Sequence, residues 1–185
     1  MVFLAGVIAA FPSRLDQFSP IWVADAIIAL NYIGQEPIKL ITESYGGSIN
    51  SGRIICDTIK LSRAPVHTIA RGDCCSMAAV ILSAGHQSCR LVYPSTRVML
   101  HQPFGEVSGD TKEVEIQAKE LSKIKSRLID SLLENGVQRT RSQLLKDIDR
   151  EYWMTAEEAI RYGIADRMVT SEDLFPQIDL PFTVI

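Results

Sequence analysis

The chain has no CxxC pair, no apolar run long enough to cross a bilayer, and no large excess of charge of either sign. Its 185 residues include four cysteines, three histidines and a net charge of −3. Without CxxC spacing, zinc-ribbon and dithiol redox sites drop out. The adjacent Cys74 and Cys75 cannot close an ordinary disulfide without strain. With Cys56 and Cys89 they read as reduced, mostly buried thiols, which points to the cytosol or an equivalent reducing space. The absence of a spanning run excludes a membrane helix. The 19 Lys and Arg residues are dispersed among 22 acids, as on a solvated face, so nucleic acid is not an expected partner. The apolar start from Met1 to Phe11 lacks a basic leader and reads as a first core strand, not a signal peptide. There is no repeat and no low-complexity linker.

What is present is a chain of 46% apolar and 22% charged residues, suited to one globular domain over 1–185. Residues 2–8 read as a strand, 12–20 as a polar loop and 21–33 as an Ala-rich helix stopped by Gly34-Gln35-Glu36-Pro37. A short strand over 38–42 enters Glu43-Ser44-Tyr45-Gly46-Gly47-Ser48, a Gly-Gly turn that opens a helix over 49–61. Short strands follow at 66–70, 90–93 and 97–101. The longest helix spans 111–134, with Val114, Ala118, Leu121, Leu128 and Leu132 at helical spacing and a Lys/Glu-rich opposite face. A helix over 141–147 and an apolar Tyr152-Trp153-Met154 come next. Thr155 and Glu158 then form a capping box for a helix ending at Gly163, and 164–169 is a last strand. The tail, 171–185, carries Pro176, Pro181 and exposed-looking apolar residues suited to docking on its own domain or a neighbour. Strands and helices alternate, so the class is α/β.

The chain is organised around Arg71-Gly72-Asp73-Cys74-Cys75-Ser76-Met77-Ala78-Ala79. A buried strand leads in, Gly72 allows a tight turn, and a short apolar helix runs to Gly85, which reads as its left-handed cap. Ser76 lies at the start of that helix. The common role for such a serine is an N-cap. The other is a nucleophile whose oxyanion is held by the next backbone N–H. His101, ending a strand, is the candidate general base, and Glu151 or Asp149 the candidate acid that orients it. Cys75 is an alternative nucleophile.

Taken together these stretches resemble the proteolytic subunit of the Clp ATP-dependent protease, the ClpP family of serine peptidases. The matching pieces are Ser44-Tyr45-Gly46-Gly47-Ser48-Ile49 with Gly52, Gly72-Asp73-Cys74-Cys75-Ser76-Met77-Ala78, Arg97-Val98-Met99-Leu100-His101-Gln102-Pro103, and Thr155-Ala156-Glu157-Glu158-Ala159 with Tyr162-Gly163. The likeness covers about residues 2–169. It implies a crotonase-like spiral of β-β-α units with a protruding handle over about 104–134. It implies Ser76 as nucleophile, His101 as base, and an oxyanion hole at the N–H groups of Gly47 and Met77. It also implies heptameric rings stacked into a tetradecamer, formed with itself or a paralogue, an AAA+ Clp ATPase partner, and unfolded polypeptide substrates. The chemistry is acyl transfer, for which neither metal nor organic cofactor is required. A cytoplasmic location, or the stroma or matrix of an organelle, is implied as well.

Three departures qualify the resemblance. Counting back from Thr155 sets Glu151 where the family has its catalytic Asp, with Asp149 the substitute if the loop is shifted. Tyr45 replaces the family Pro in the turn before the two glycines. Met1 directly precedes the first core strand, so the segment forming the axial gate is expected to be absent or short, with altered coupling to an unfoldase. These departures support a second reading, a catalytically impaired or structural ring subunit acting with an active paralogue. A third reading is an acyl-CoA enzyme of the crotonase type, which needs oxyanion N–H groups but no Ser-His pair.

Overall fold

The computed structural model describes residues 3–4, 7–9 and 19–175, with side chains from Trp22 onward. The 10–18 stretch, the extreme N-terminus and the tail beyond Phe175 lie outside the described residues, and with them the expected long loop, the gate region and the apolar tail.

The architecture is the α/β one expected. Fifteen elements are described: β1 (Phe3–Leu4), β2 (Val7–Ala9), α1 (Ser19–Ile33), β3 (Ile38–Ser44), α2 (Ile49–Leu61), β4 (Val66–Cys75), α3 (Met77–Ser83), β5 (Arg90–Val92), β6 (Arg97–Leu100), α4 (Thr111–Glu134), α5 (Arg141–Asp147), β7 (Tyr152–Met154), α6 (Ala156–Tyr162), β8 (Arg167–Met168) and α7 (Ser171–Leu174). The sheet runs β1-β2-β3-β4-β5-β8, and β6 branches from β4 to pair with β7.

β4 is the element that positions the site. Its first half pairs with β5 through Thr68, Ile69 and Ala70, and its second half pairs with β6 through Asp73, Cys74 and Cys75. The change of partner falls at Gly72, whose φ of +57° suits glycine. The tight turn expected there is therefore a kink within one continuous strand, and the sheet curls at that point. The strand reaches Cys75, five residues beyond the apolar run.

α3 begins at once and is buried along its whole length, from Met77 to Ser83. Gly85 does not serve as its left-handed cap, and Ala84 ends the helix in right-handed geometry. Gly85 is there for closeness: a Cβ on it would lie 2.2 Å from Thr68 Oγ1. Gly163, by contrast, caps α6 in the left-handed region as its sequence pattern implies, and Thr155 with Glu158 forms the capping box.

α4 carries a full capping box at Asp110 and Glu113. Only its C-terminal half enters the core, through Ile129 and Leu132. In its first half Ala118 is exposed while Val114 and Leu121 are half-buried, so the apolar stripe read from the sequence is only partly covered there. α7 is an element not anticipated. Thr170 N–H donates to Asp173 Oδ2, Arg167 forks onto Asp173 at 2.6 and 2.7 Å, and Lys39 Nζ donates to the Asp173 carbonyl. The expected strand over 164–169 shortens to two residues because Ile164 and Ala165 turn back onto α6 through Ala159 O.

Candidate active site

Ser76 stands between β4 and α3 with φ 56° and ψ −125°, conformational space that residues with a Cβ rarely occupy. Its N–H donates to Met99 O at 2.7 Å and its carbonyl accepts from Ala79 N–H at 3.0 Å. Both anchors are backbone. The side chain makes no capping bond to the helix. Ser76 Oγ instead lies 2.8 Å from His101 Nε2. Of the two roles open to Ser76, the geometry removes the N-cap.

The elbow is held from outside by Gly46. A Cβ there would lie 2.7 Å from Cys75 O, 2.7 Å from Ser76 Cβ and 2.9 Å from Met77 N, so only glycine lets the turn lie flat against the elbow. Gly46 has φ +89° and Gly47 φ +147°, both in the region that favours glycine. The Gly46 N–H is tied back to Ser44 Oγ at 3.2 Å. The pair thus runs beside Ser76 and Met77, with Gly47 exposed and Met77 buried. Sequence reasoning named Gly47 and missed Gly46, although the Gly-Gly doublet was the available signal. It also treated Gly52 only as part of a motif. Gly52 sits inside α2 because the Met77 side chain fills its Cβ position, with Cγ 2.2 Å away.

His101 is half-buried, follows β6 and packs its ring 5.4 Å from that of Phe104. Burial pushes its pKa below the ordinary 6.5, while the charge of Glu151 and the backbone of Gln102 pull the other way without overcoming it. The imidazole is therefore neutral at pH 7, as a base must be.

The two candidate acids are placed differently. Glu151 is near enough for its charge to act on His101, but its Oε2 accepts from Trp153 Nε1 at 3.0 Å. Asp149 faces Arg150 at 3.7 Å, and Gln102 Nε2 reaches its carbonyl at 2.9 Å and its Oδ1 at 3.5 Å. Among the described residues neither carboxylate bonds to His101.

Cys75 is buried, and burial first, then the charges of Asp73 and Glu151, push its pKa up to about 11. It is a protonated thiol at neutral pH and a poor nucleophile. A small cavity of about 20 Å³ opens beside Ser76 and His101, walled by Ile49, Met77, Val80 and Leu128. The same four residues wall a larger cleft of about 330 Å³ between α2 and α4, lined also by Arg53, Lys60 and Arg127 and by Asp57, Asp130 and Glu134. A serine hydroxyl beside an imidazole, a glycine pair packed against the elbow and an apolar recess beside them are groups that acyl transfer can use.

A family model described as Clp protease matches residues 9–172. The chain is 40% identical over 174 residues to the ATP-dependent Clp protease proteolytic subunit 4, chloroplastic, of Arabidopsis thaliana. That match covers 91% of this chain and 58% of the relative, so the chain spans less than two thirds of the relative's length.

Proposed function

The chain belongs to the Clp protease family, and on that premise we propose that it is a serine endopeptidase subunit of a ring-shaped compartmental protease. Ser76 Oγ attacks the scissile carbonyl as His101 Nε2 takes its proton. The oxyanion is held by the N–H groups of Gly47 and Met77. His101 then protonates the leaving amine, and water, deprotonated by the same imidazole, hydrolyses the ester and frees Ser76. Glu151 is the acid that stabilises the imidazolium, with Asp149 the substitute. The observation that carries this reading is the 2.8 Å Ser76–His101 contact on a backbone elbow that leaves the hydroxyl uncapped.

The remaining assignments rest on family membership. Residues 1–185 form a single peptidase domain, with a handle over about 104–134 through which heptameric rings stack into a tetradecamer. The rings contain this subunit alone or with a paralogue. The substrates are unfolded polypeptides delivered by an AAA+ ATPase, in keeping with the "ATP-dependent" name of the Arabidopsis relative. That relative is chloroplastic, which favours an organelle stroma over the cytoplasm. A second reading, an impaired subunit working beside an active paralogue, is favoured by one observation: Glu151 is bonded to Trp153 and not to His101.

Labelling the assembled protein with a fluorophosphonate separates the two. Covalent labelling of Ser76, lost in Ser76→Ala, is the expected result. No labelling in a protein that still forms rings would overturn the peptidase reading in favour of the structural one.

A further inference from the structure

β6 and β7 pair antiparallel, with Val98 opposite Met154, Met99 opposite Trp153 and Leu100 opposite Tyr152. His101 and Glu151 each adjoin the last of these pairs, and beyond them the register breaks, Gln102 N–H donating to Ile148 O at 2.6 Å. Successive strand residues alternate faces, so Arg97, Met99 and His101 share one face with Trp153 and Glu151. Glu151 is near enough for its charge to act on the imidazole. Its carboxylate turns along its own strand instead, to Trp153 Nε1 at 3.0 Å. The extra methylene of glutamate makes that turn available. The indole is itself pinned, because the Arg97 guanidinium lies 4.3 Å from the centroid of its ring.

We propose that Trp153 is a positioning residue that holds Glu151 away from His101, so that the acid completes the Ser76–His101 pair only when the indole N–H releases it. The inference rests on the Ser76–His101 reading. Arg97 fixes the ring, the ring presents one N–H, and that N–H holds the Glu151 carboxylate through Oε2. A phenylalanine would offer the same apolar bulk without the donor.

The charged and titratable groups around His101 are few. Cys75 ends β4 and is protonated. Lys125 of α4 donates to Gln102 Oε1 at 2.8 Å, and Asp149 lies behind Gln102, beside Arg150. Glu151 is the one whose charge bears on the ring. Freeing it must therefore move the His101 titration upward, which a merely structural role for Trp153 would not do.

The test is NMR titration of the histidine rings in the assembled protein, comparing wild type with Trp153→Phe, and with benzothienylalanine at 153 should Phe fail to fold. His67 and His86 serve as internal references. His101 is expected to titrate at higher pH in the variant, and Ser76 to react with a fluorophosphonate roughly tenfold faster at pH 7. Adding Glu151→Gln should cancel both changes. An unchanged His101 titration in a folded variant overturns the inference. A shifted His101 with Ser76 unreactive in every variant leaves the inference standing and overturns the peptidase reading.

Discussion

Ser76 occupies backbone space that costs a residue with a Cβ roughly 1–3 kcal/mol. Two short backbone bonds and the flat approach of Gly46 hold it there. Strain of this kind aims a side chain, and here it aims Oγ at His101. The imidazole's environment then sets the pH at which the pair works. Burial lowers its pKa, so the neutral base persists to lower pH than for an exposed histidine. The acid limb of the pH–rate profile for peptide hydrolysis, or for phosphonate labelling, is accordingly expected below pH 6.5. A limb at or above that value would mean that Glu151 already engages His101 in the assembled protein.

At the scale of elements, the site is a junction of β4, α3, α2 and the loop before α2. β4 changes partner at Gly72 and delivers Ser76 to the end of a strand that pairs with β6, the strand that His101 follows. Ser76 and His101 are thus brought together by two neighbouring strands of one sheet. α2 lies across α3 and leaves room at Gly52 for the Met77 side chain. A methyl group there meets Met77 Cγ at 2.2 Å, Cε at 2.8 Å and Sδ at 3.0 Å, so the whole side chain has to move. Gly52→Ala is expected to displace Met77, cut labelling of Ser76 and destabilise the fold by about 1–3 kcal/mol. Labelling kinetics alongside thermal unfolding would check this. Wild-type labelling would mean that the Met77 N–H does not depend on where its side chain sits.

Over the whole molecule one buried residue ties separate parts together. Arg90 of β5 donates to the carbonyls of Asn135 and Gly163, which end α4 and α6, and through Nε to Asp166 at 3.0 Å. Its side chain is 7% exposed. Removing it leaves Asp166 charged and two carbonyls unsatisfied, so Arg90→Ala is expected to cost about 3–5 kcal/mol in denaturant unfolding. Burial alone would raise the Asp166 pKa, but its bonds to Arg90 outweigh that and hold it below the ordinary 3.8. A depressed folded-state carboxylate stabilises above its unfolded pKa and loses that contribution as pH falls through the folded value. The wild type should therefore lose stability below about pH 4, and Arg90→Ala should show a weaker acid dependence.

The features readable along the chain are those decided by neighbours in sequence. The capping box at Thr155, the stop at Gly163, the bounds of α2 and α4, and the α/β alternation all rest on local hydrogen bonding and periodicity. The family likeness was legible for a related reason, because the glycine and histidine blocks are short contiguous runs. The tertiary structure alone decided anything set by a contact distant in sequence. Gly85 read as a left-handed cap and is instead the gap into which Thr68 fits. Gly72 read as a turn and is a kink inside a strand, because β6 pairs with Asp73, Cys74 and Cys75 beyond it. Ser76 read as cap or nucleophile until His101, 25 residues on, lay beside its hydroxyl. Glu151 could be counted into position, but the direction of its carboxylate is a competition between an indole N–H two residues away and an imidazole across the ladder. Spacing along a chain carries no information about which of those two lies nearer.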